Sequence, residues 1–263
     1  MNTNQILISF DLKAEMGFLK KPDINDGIYL TYNMLHKPAL LGILGAIAGM
    51  KGYEKNGKSP KYYTKLNHLK IGIQPLDSEK GNFTKEILSY NNSTGFANNK
   101  EEGGNLIITE QILIKPSYRC FLLLNLDNKD ENTLYENIKK YKAEFLPYIG
   151  KNEFSAWWTN VKTYNYFAKF DFSHNYKIDT IFAKNDAISG YVARSMSMYS
   201  KESKEVPFLY FERLPNGFDE KLYQYRYADF AYSNTSFKSD MNMSTTGEFY
   251  QINKEEGDII QLF

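Results

Sequence analysis

The segment YNMLHKPALLGILGAIAGMKG, which covers residues 32–52, constrains the fold more than any other part of the sequence. Pro38 suits the first turn of a helix, because its missing N–H costs nothing there and its fixed φ is already helical. A run of leucine, isoleucine, alanine and glycine residues follows it. We therefore predict a helix from about residue 38 to about residue 50.

Three glycines, Gly42, Gly45 and Gly49, share one face of this predicted helix because they are three and four residues apart. Each lowers helix stability by up to ~1 kcal/mol relative to alanine, so some interaction must offset the loss. A face without side chains lets another backbone approach closely. Two interpretations remain open: the helix packs tightly on a sheet of the protein, or a ligand backbone also approaches the start of the helix.

The composition predicts an ordered globular protein, since 42% of the 263 residues are hydrophobic and 16% are aromatic. The formal net charge is +1, so a site for a polyanion has to arise from local clustering. The single cysteine, Cys120, excludes an internal disulfide and a multi-cysteine zinc site. We expect a soluble, unprocessed, cytoplasmic protein, because no signal peptide or bilayer-spanning apolar run is evident. We also expect no metal or cofactor, because the histidines are not at metal-ligand spacing.

Hydrophobic periodicity predicts an α+β fold with alternating strands and helices. The predicted strands cover about residues 5–12, 69–76, 106–115, 118–126 and 148–152, and the predicted helices cover 38–50 and 130–145. The third and fourth strands are expected to form one long hairpin joined at Pro116 and Ser117, and residues 17–37 are expected to form a long loop. This order is that of the ferredoxin-like βαββαβ unit of RNA-recognition domains.

The predicted domain organisation has two parts. Residues 1–155 form the RNA-recognition-like domain, and the polar, glycine-containing stretch 77–105 is inserted into it as a thumb-like hairpin. Residues 156–263 are aromatic and alternate in hydrophobicity, which predicts a strand-rich C-terminal extension.

The stretch from residue 37 to residue 70 is locally basic, with seven lysines and the single acid Glu54. Tyrosines are interleaved with the lysines, and single-stranded nucleic acid needs both cations for its phosphates and rings for its bases. A solvated lysine-rich surface is the alternative. The candidate RNA contacts of this stretch are Lys37, Lys51, Lys55, Lys58 and Lys61.

Two enzymatic alternatives remain open. Residues 52–59 match the phosphate-binding pattern G-x-x-x-x-G-K-[ST], but that loop requires a strand before it and a helix after it, and a helix is predicted before it. The second alternative is a metal-independent ribonuclease that uses His36 near Tyr32 and Lys37. The prediction that competes with this alternative is that each of the three histidines, His36, His68 and His174, is a loop or packing residue.

The sequence resembles the fifth Cas protein family of type I CRISPR systems, in particular its type I-B branch. The resemblance lies in the first predicted strand, in FLKKP at residues 18–22 and in HKPALLGILGAIAGMKGY at residues 36–53. It is weaker at the hairpin ILIKPSYRCFLLL and at YIGKNEFSAW, which is similar to a glycine-containing turn of the family.

The resemblance implies a non-catalytic RNA-binding subunit of a Cascade surveillance complex in antiviral defence. Such a subunit belongs to the RAMP superfamily, has a protruding thumb, and holds the 5′ handle of the crRNA at one end of the complex. The implied partners are the crRNA, the backbone subunit of the seventh Cas family and the large subunit that reads the PAM, with target DNA contacted indirectly.

The resemblance also implies site residues, carried over by position. The basic loop would contact handle phosphates, the helix start would approach the RNA backbone, and the glycine-containing turn would complete the site. One branch of the family cleaves repeat RNA, but Lys115 and Pro116 stand here without an adjacent histidine, so cleavage is not expected. The residues carried over are Lys20, Lys21, Lys37, Gly42, Gly150, Lys151 and Asn152. Phe18, Tyr32 and His36 are further candidate RNA contacts beside them.

Overall fold

The computed structural model describes residues 4–23, 27–54, 58–92, 106–184, 206–219, 221–237, 247–253 and 258–263. Within them the fold is α+β and rich in strands. The helices are α1 (Lys37–Ile47), α2 (Lys61–Leu66) and α3 (Lys129–Lys139). The strands are β1 (Gln5–Ala14), β2 (Met16–Gly17), β3 (Ile28–Tyr29), β4 (Lys70–Pro75), β5 (Lys85–Asn91), β6 (Ile107–Ile114), β7 (Ser117–Asn125), β8 (Ala156–Tyr164), β9 (Ala168–Lys169), β10 (Tyr176–Ile178), β11 (Phe182–Lys184), β12 (Leu209–Asp219), β13 (Gln224–Ser233), β14 (Ser236–Phe237), β15 (Glu248–Gln251) and β16 (Asp258–Leu262).

A four-stranded sheet of order β4-β7-β1-β8 lies at the centre, and each neighbouring pair in it is antiparallel. Because side chains of a strand alternate between faces, β1 contributes to two cores. Ile8 and Phe10 pack with the apolar side chains of α1 and α3. Leu7 packs on the other face, with Ile260 and Leu262 of β16. Both faces of β1 are buried, as its nearly continuous apolar sequence predicts.

Helix α1 begins where its sequence predicts and ends earlier. His36 has an extended backbone and caps the helix, since its side chain accepts a hydrogen bond from the Ala39 N–H, and Pro38 occupies the first turn. Gly49 lies beyond the helix with φ +73°, a left-handed conformation typical of residues that follow a helix. The predicted end at about residue 50 is therefore too late, and Gly49 does not belong to the glycine face.

The glycine face of α1 packs against α2 rather than against a sheet. A side-chain carbon at Gly45 would overlap the Cβ of Tyr62, and one at Gly42 would lie 3.8 Å from the Tyr62 ring. The prediction of a close neighbour is confirmed, but the neighbour is a short helix. The prediction of helix-on-sheet packing at this face is wrong.

Helix α3 is also shorter than predicted. Asn128 caps its start by accepting hydrogen bonds from the Asp130 and Glu131 N–H groups. The helix ends at Lys139, and Tyr141 then adopts φ +53°. A left-handed residue cannot continue a right-handed helix, so residues 142–145 lie outside it despite their apolar spacing.

Strands β6 and β7 do not pair with each other, so the predicted long hairpin is wrong. Lys115 has φ +48° and is followed by Pro116, and these two residues turn the chain between the strands. As a result β7 joins the central sheet between β4 and β1. Strand β6 joins a second sheet with β2, β3 and β5.

The predicted thumb stretch 77–105 contains β5, which forms an antiparallel ladder with β6. The partner strand β6 lies just beyond the predicted stretch, and residues 93–105 lie outside the described residues. The predicted loop 17–37 also contains paired backbone. Lys20 and Thr31 form a bridge, the Lys21 N–H donates to the Leu30 carbonyl, and the Tyr32 N–H donates to the Leu19 carbonyl.

The fourth strand of the central sheet is β8, at residues 156–164, and not the predicted strand at 148–152. That earlier segment makes only an isolated bridge between Tyr148 and Ser155, because Gly150 turns the chain with φ +85°. Leu214, Phe230 and Phe263 pack in the same core as β1. Residues on both sides of the predicted boundary at 155 thus share one core. No helix in the described part of the chain is long and apolar enough to cross a membrane.

Candidate nucleic-acid interface

A groove of about 750 Å³ lies between α1, the backbone around Phe18 and the turn at Gly150. We call it the first groove. Six of the predicted site residues line it, although they come from three separate parts of the sequence: Phe18, Lys20, His36, Gly42, Gly150 and Lys151.

Aromatic rings dominate the walls of the first groove. Tyr53 is 69% exposed at its rim, and Phe145 and Tyr148 are also exposed. The rings in the lining are those of Phe18, Tyr53, Tyr62, Phe145, Tyr148, Phe218 and Tyr225. A surface with several exposed rings and a few cations can stack planar bases and neutralise a phosphate backbone.

The floor near Gly150 depends on a close contact between two backbones. The Phe18 N–H donates to the Ile149 carbonyl at 3.0 Å. Gly150 has φ +85°, and a side-chain carbon there would overlap the carbonyl group of Phe18. Glycine is therefore required on both conformational and steric grounds. This contact joins the turn at 148–154 to the segment that carries Lys20.

The two lysines of the first groove differ in their partners. Lys151 contacts the Glu110 carboxylate at 2.7 Å and the Tyr90 hydroxyl. Burial lowers the pKa of Lys151, but its hydrogen bonds to Glu110 and Tyr90 outweigh burial and leave the pKa raised. Lys20 is exposed, its Nζ lies 3.7 Å from the centre of the Tyr29 ring, and no ion pair of Lys20 occurs among the described residues. Lys20 is therefore the cation of this groove that can meet a phosphate without breaking an ion pair.

His36 lines the first groove but is almost completely buried. Its Nδ1 accepts from the Ala39 N–H at 3.3 Å, which places the proton of the neutral ring on Nε2. Burial lowers the pKa of His36 to about 3. At neutral pH the ring is therefore uncharged and serves as a helix cap.

Two further predicted residues, Lys21 and Tyr32, line a different groove of about 790 Å³, which we call the second groove. Lys21 lies 3.7 Å from the Glu212 carboxylate. The Tyr32 hydroxyl donates to the Tyr227 hydroxyl at 3.5 Å, and burial is the main cause that raises the Tyr32 pKa. The ring centres of Tyr32 and His36 are 5.3 Å apart, yet the two residues line separate grooves.

The lysines of the basic stretch do not gather at either groove. Lys37 donates to the backbone oxygen of Phe263 at 2.9 Å, and burial lowers its pKa to about 8. Lys51 pairs with Glu54 at 2.8 Å, with both side chains exposed. The remaining candidates are Lys58, Lys61 and Asn152, which are exposed away from both grooves, and Lys55, which lies outside the described residues.

The phosphate-binding pattern at 52–59 lacks the surroundings that it requires. Helix α1 precedes it where a strand is needed, and Pro60 separates it from α2, which is only six residues long. Residues 55–57 of the pattern lie outside the described residues. In the part of the chain that the structure describes, no group of three histidine, cysteine, aspartate or glutamate side chains could hold a metal ion.

Several lining residues could not be selected from the sequence. Tyr53 and Tyr62 are exceptions, because they belong to the basic stretch, where tyrosines are interleaved with lysines in the sequence. Phe218 and Tyr225 lie on the β12–β13 hairpin, more than 150 residues from α1 in the sequence. Their ring centres are 4.8 Å apart, and only tertiary packing brings them to the groove.

No protein-family model matches the chain, and none of the curated proteins matches it. Among solved structures, it is similar to the crystal structure of a Cas protein, with 14% identity, a TM-score of 0.35 and coverage of 56% of this chain. It spans 57% of the length of that protein.

Two further structures match over more of their length. One is a CRISPR RNA-guided surveillance complex, with 10% identity, a TM-score of 0.47 and coverage of 86% of this chain and 90% of that chain. The other is a CRISPR protein from Archaeoglobus fulgidus, with 14% identity, a TM-score of 0.45 and coverage of 98% of both chains. The structural neighbours named here are thus Cas or CRISPR structures.

Proposed function

We propose that this chain is a non-catalytic subunit that binds single-stranded RNA in the first groove. The observation that carries the proposal is the convergence of Lys20, a set of seven rings and the start of α1 around one open groove. The ligand that suits such a groove has an anionic backbone and planar groups that stack. Single-stranded RNA has both.

The sequence resemblance narrows this proposal to the 5′ handle of a crRNA in a type I Cascade complex. The resemblance covers FLKKP and the α1 segment, and these are two of the segments that line the first groove. We further infer a ferredoxin-like unit made of β1, α1, β4, β7, α3 and β8, on the basis of their sheet order. On this proposal the partners are the backbone subunit of the seventh Cas family and the large PAM-reading subunit, in the cytoplasm.

The chemistry of His36 and Tyr32 supports a binding role over a ribonuclease. A general acid or base works best with a pKa near the working pH, whereas burial holds the pKa of His36 at about 3 and raises that of Tyr32. The Nδ1 of His36 already accepts a backbone hydrogen bond. We therefore propose that this pair positions the start of α1.

The test is binding of the purified chain to a labelled repeat-derived RNA that ends in the 5′ handle. Affinity is measured at two salt concentrations without metal, and the RNA is then run on a denaturing gel. We expect salt-sensitive binding and intact RNA. Cleaved RNA would favour the ribonuclease. If the chain alone does not bind, the assay is repeated with the co-expressed backbone subunit, and failure there contradicts the proposal.

Lys58→Ala separates the phosphate-binding-loop alternative from RNA binding. An NTPase would lose nucleotide binding with this lysine, whereas RNA binding would lose at most about one unit of salt slope. Unchanged nucleotide binding in the variant, or none in the wild type, argues against the NTPase.

A further inference from the structure

The first and second grooves lie back to back and share one wall. The wall consists of the paired segments 19–21 and 30–32 together with strand β6. Consecutive side chains of extended backbone point in opposite directions. Lys20 and Glu110 accordingly line the first groove, whereas their sequence neighbours Lys21 and Gln111 line the second.

The second groove has the same two kinds of side chain as the first. Its cations are Lys21, Lys85 and Arg213, and its rings are Tyr32, Tyr210, Phe211 and Tyr227. Phe211 is 50% exposed and Tyr227 is 37% exposed. A cation lies over each ring, since Lys184 Nζ is 4.9 Å from the centre of the Phe211 ring and the Arg213 guanidinium lies over Tyr227.

The acids that line the second groove are Asp23 and Glu212, and among the described residues neither forms an ion pair with Arg213. Glu212 accepts hydrogen bonds from the Asn33 and Met34 N–H groups at 3.0 and 2.9 Å, so it holds the chain at the floor of the groove. It is also the carboxylate that faces Lys21. The Arg213 guanidinium lies 5.3 Å from the centre of the Tyr227 ring, and no ion pair of Arg213 occurs among the described residues. A guanidinium held over a ring keeps its N–H donors for a phosphate or a base edge.

We propose that the second groove is an additional subsite for single-stranded RNA, in which Arg213, Tyr227 and Phe211 bind nucleotides that continue past the shared wall from the first groove. This inference rests on the proposed RNA-binding function and extends the length of RNA that the chain contacts. Short RNA fills the first groove alone, and longer RNA also reaches Arg213.

The experiment measures fluorescence anisotropy with labelled oligouridine of increasing length, from about 4 to about 16 nucleotides. The variants are Arg213→Ala, Phe211→Ala and Lys20→Ala. Arg226→Ala is the matched control, because Arg226 is an exposed arginine of the same hairpin that lines neither groove. Circular dichroism establishes that all four variants are folded.

We expect Arg213→Ala and Phe211→Ala to weaken binding of the longest RNA at least about fivefold and to change binding of the shortest RNA less than about twofold. Lys20→Ala should weaken binding at every length, and Arg226→Ala at none. Equal effects of Arg213→Ala and Arg226→Ala at all lengths would overturn the second subsite while leaving the proposed function intact. If Lys20→Ala binds every RNA like the wild type, the proposed function itself fails.

A second readout locates the RNA directly. Photo-crosslinking uses a long RNA with 4-thiouridine near either end, and peptides are then mapped. Crosslinks mapped to Phe211 or Tyr227 themselves, rather than to Phe218 or Tyr225 of the same hairpin, support the inference. Crosslinks confined to peptides of the first groove contradict it.

Discussion

Two lysine-containing regions of this chain have the same apparent chemistry in the sequence and different roles in the structure. In the C-terminal part of the basic stretch, residues 51–70, Lys51 pairs with Glu54, Lys65 with Asp130 at 2.6 Å, and Lys70 with Glu248 at 2.6 Å. Lys20, in the region around the first groove, contacts the Tyr29 ring instead. The comparison teaches that the density of lysines along a chain does not locate the positive charge that a ligand can use.

The second difference between the regions concerns backbone geometry. The C-terminal part of the basic stretch, residues 51–70, consists mainly of α2 and its flanking segments, which lie close together in sequence. The groove region is assembled from segments more than 100 residues apart, which meet where Gly150 contacts the Phe18 backbone. Substitutions of residues that line the first groove should therefore have larger effects than substitutions of the lysines of the basic stretch that lie outside it.

The largest effect is expected for Gly150→Ala. Its side chain would overlap the Phe18 carbonyl group and would also have to adopt a positive φ. We expect the free energy of unfolding to fall by at least about 2 kcal/mol, measured by urea denaturation. Gly52→Ala is the matched control, because Gly52 also lines the first groove but no atom lies within 4 Å of the added carbon. Equal stability of the two variants would refute the structural contrast between the regions.

A large effect on RNA affinity is expected for Tyr53→Ala. Loss of a base-stacking ring is worth about 1–3 kcal/mol, so affinity for handle RNA should fall by about 5-fold to 150-fold in an anisotropy titration. Tyr53→Phe keeps the ring and should bind like the wild type. Tyr223→Ala removes a similarly exposed tyrosine outside both grooves and should have no effect. An equal loss in the alanine and phenylalanine variants would contradict stacking.

His36 lines the first groove and directly precedes the basic stretch in the sequence. Its burial predicts that the free energy of unfolding depends on pH. The folded chain keeps the ring neutral down to its pKa of about 3, whereas the unfolded chain takes up a proton near pH 6.5. The unfolded state therefore binds more protons below pH 6.5, and stability falls as the pH falls from 6.5 towards 3.

The expected loss attributable to His36 is about 2 kcal/mol between pH 6.5 and pH 5, because each pH unit contributes about 1.4 kcal/mol per proton. Urea denaturation across this range measures it. His36→Asn retains a capping side chain and should remove that part of the slope. A slope that persists in the His36 variant would show that other groups cause it.

The smallest expected effect is a change in the salt dependence of RNA binding, which differs between a lysine of the first groove and a lysine of the basic stretch. Lys20→Ala should reduce the slope of log affinity against log salt by about 0.7 for single-stranded RNA. Lys51→Ala should leave it unchanged, because Lys51 is paired with Glu54 outside both grooves. Identical salt slopes in the two variants would contradict a phosphate contact that Lys20 makes and Lys51 does not.

The sequence predicts well the features that depend on near neighbours. The start of α1 follows from Pro38 and the apolar residues after it, and the first strand follows from Ile6, Ile8 and Phe10, which alternate with Leu7, Ser9 and Asp11. Six of the predicted site residues do line the first groove. The predicted hairpin at 106–126 is wrong because a left-handed Lys115 is not visible in hydrophobic periodicity. Phe218 and Tyr225 have no local pattern that would assign them to a groove.

The sequence by itself determined the α+β class, the start of α1, the turn at Gly150 and the identity of the short segment 18–21 as a candidate ligand contact. Tertiary structure alone decided that Lys20 and Lys21 line different grooves, and that the described lysines of the basic stretch pair with carboxylates or remain outside the grooves. The physical reason is the range of the interactions. Caps, propensities and periodicity act over a few neighbouring residues, whereas groove membership depends on strand pairing and ion pairs across more than 100 residues.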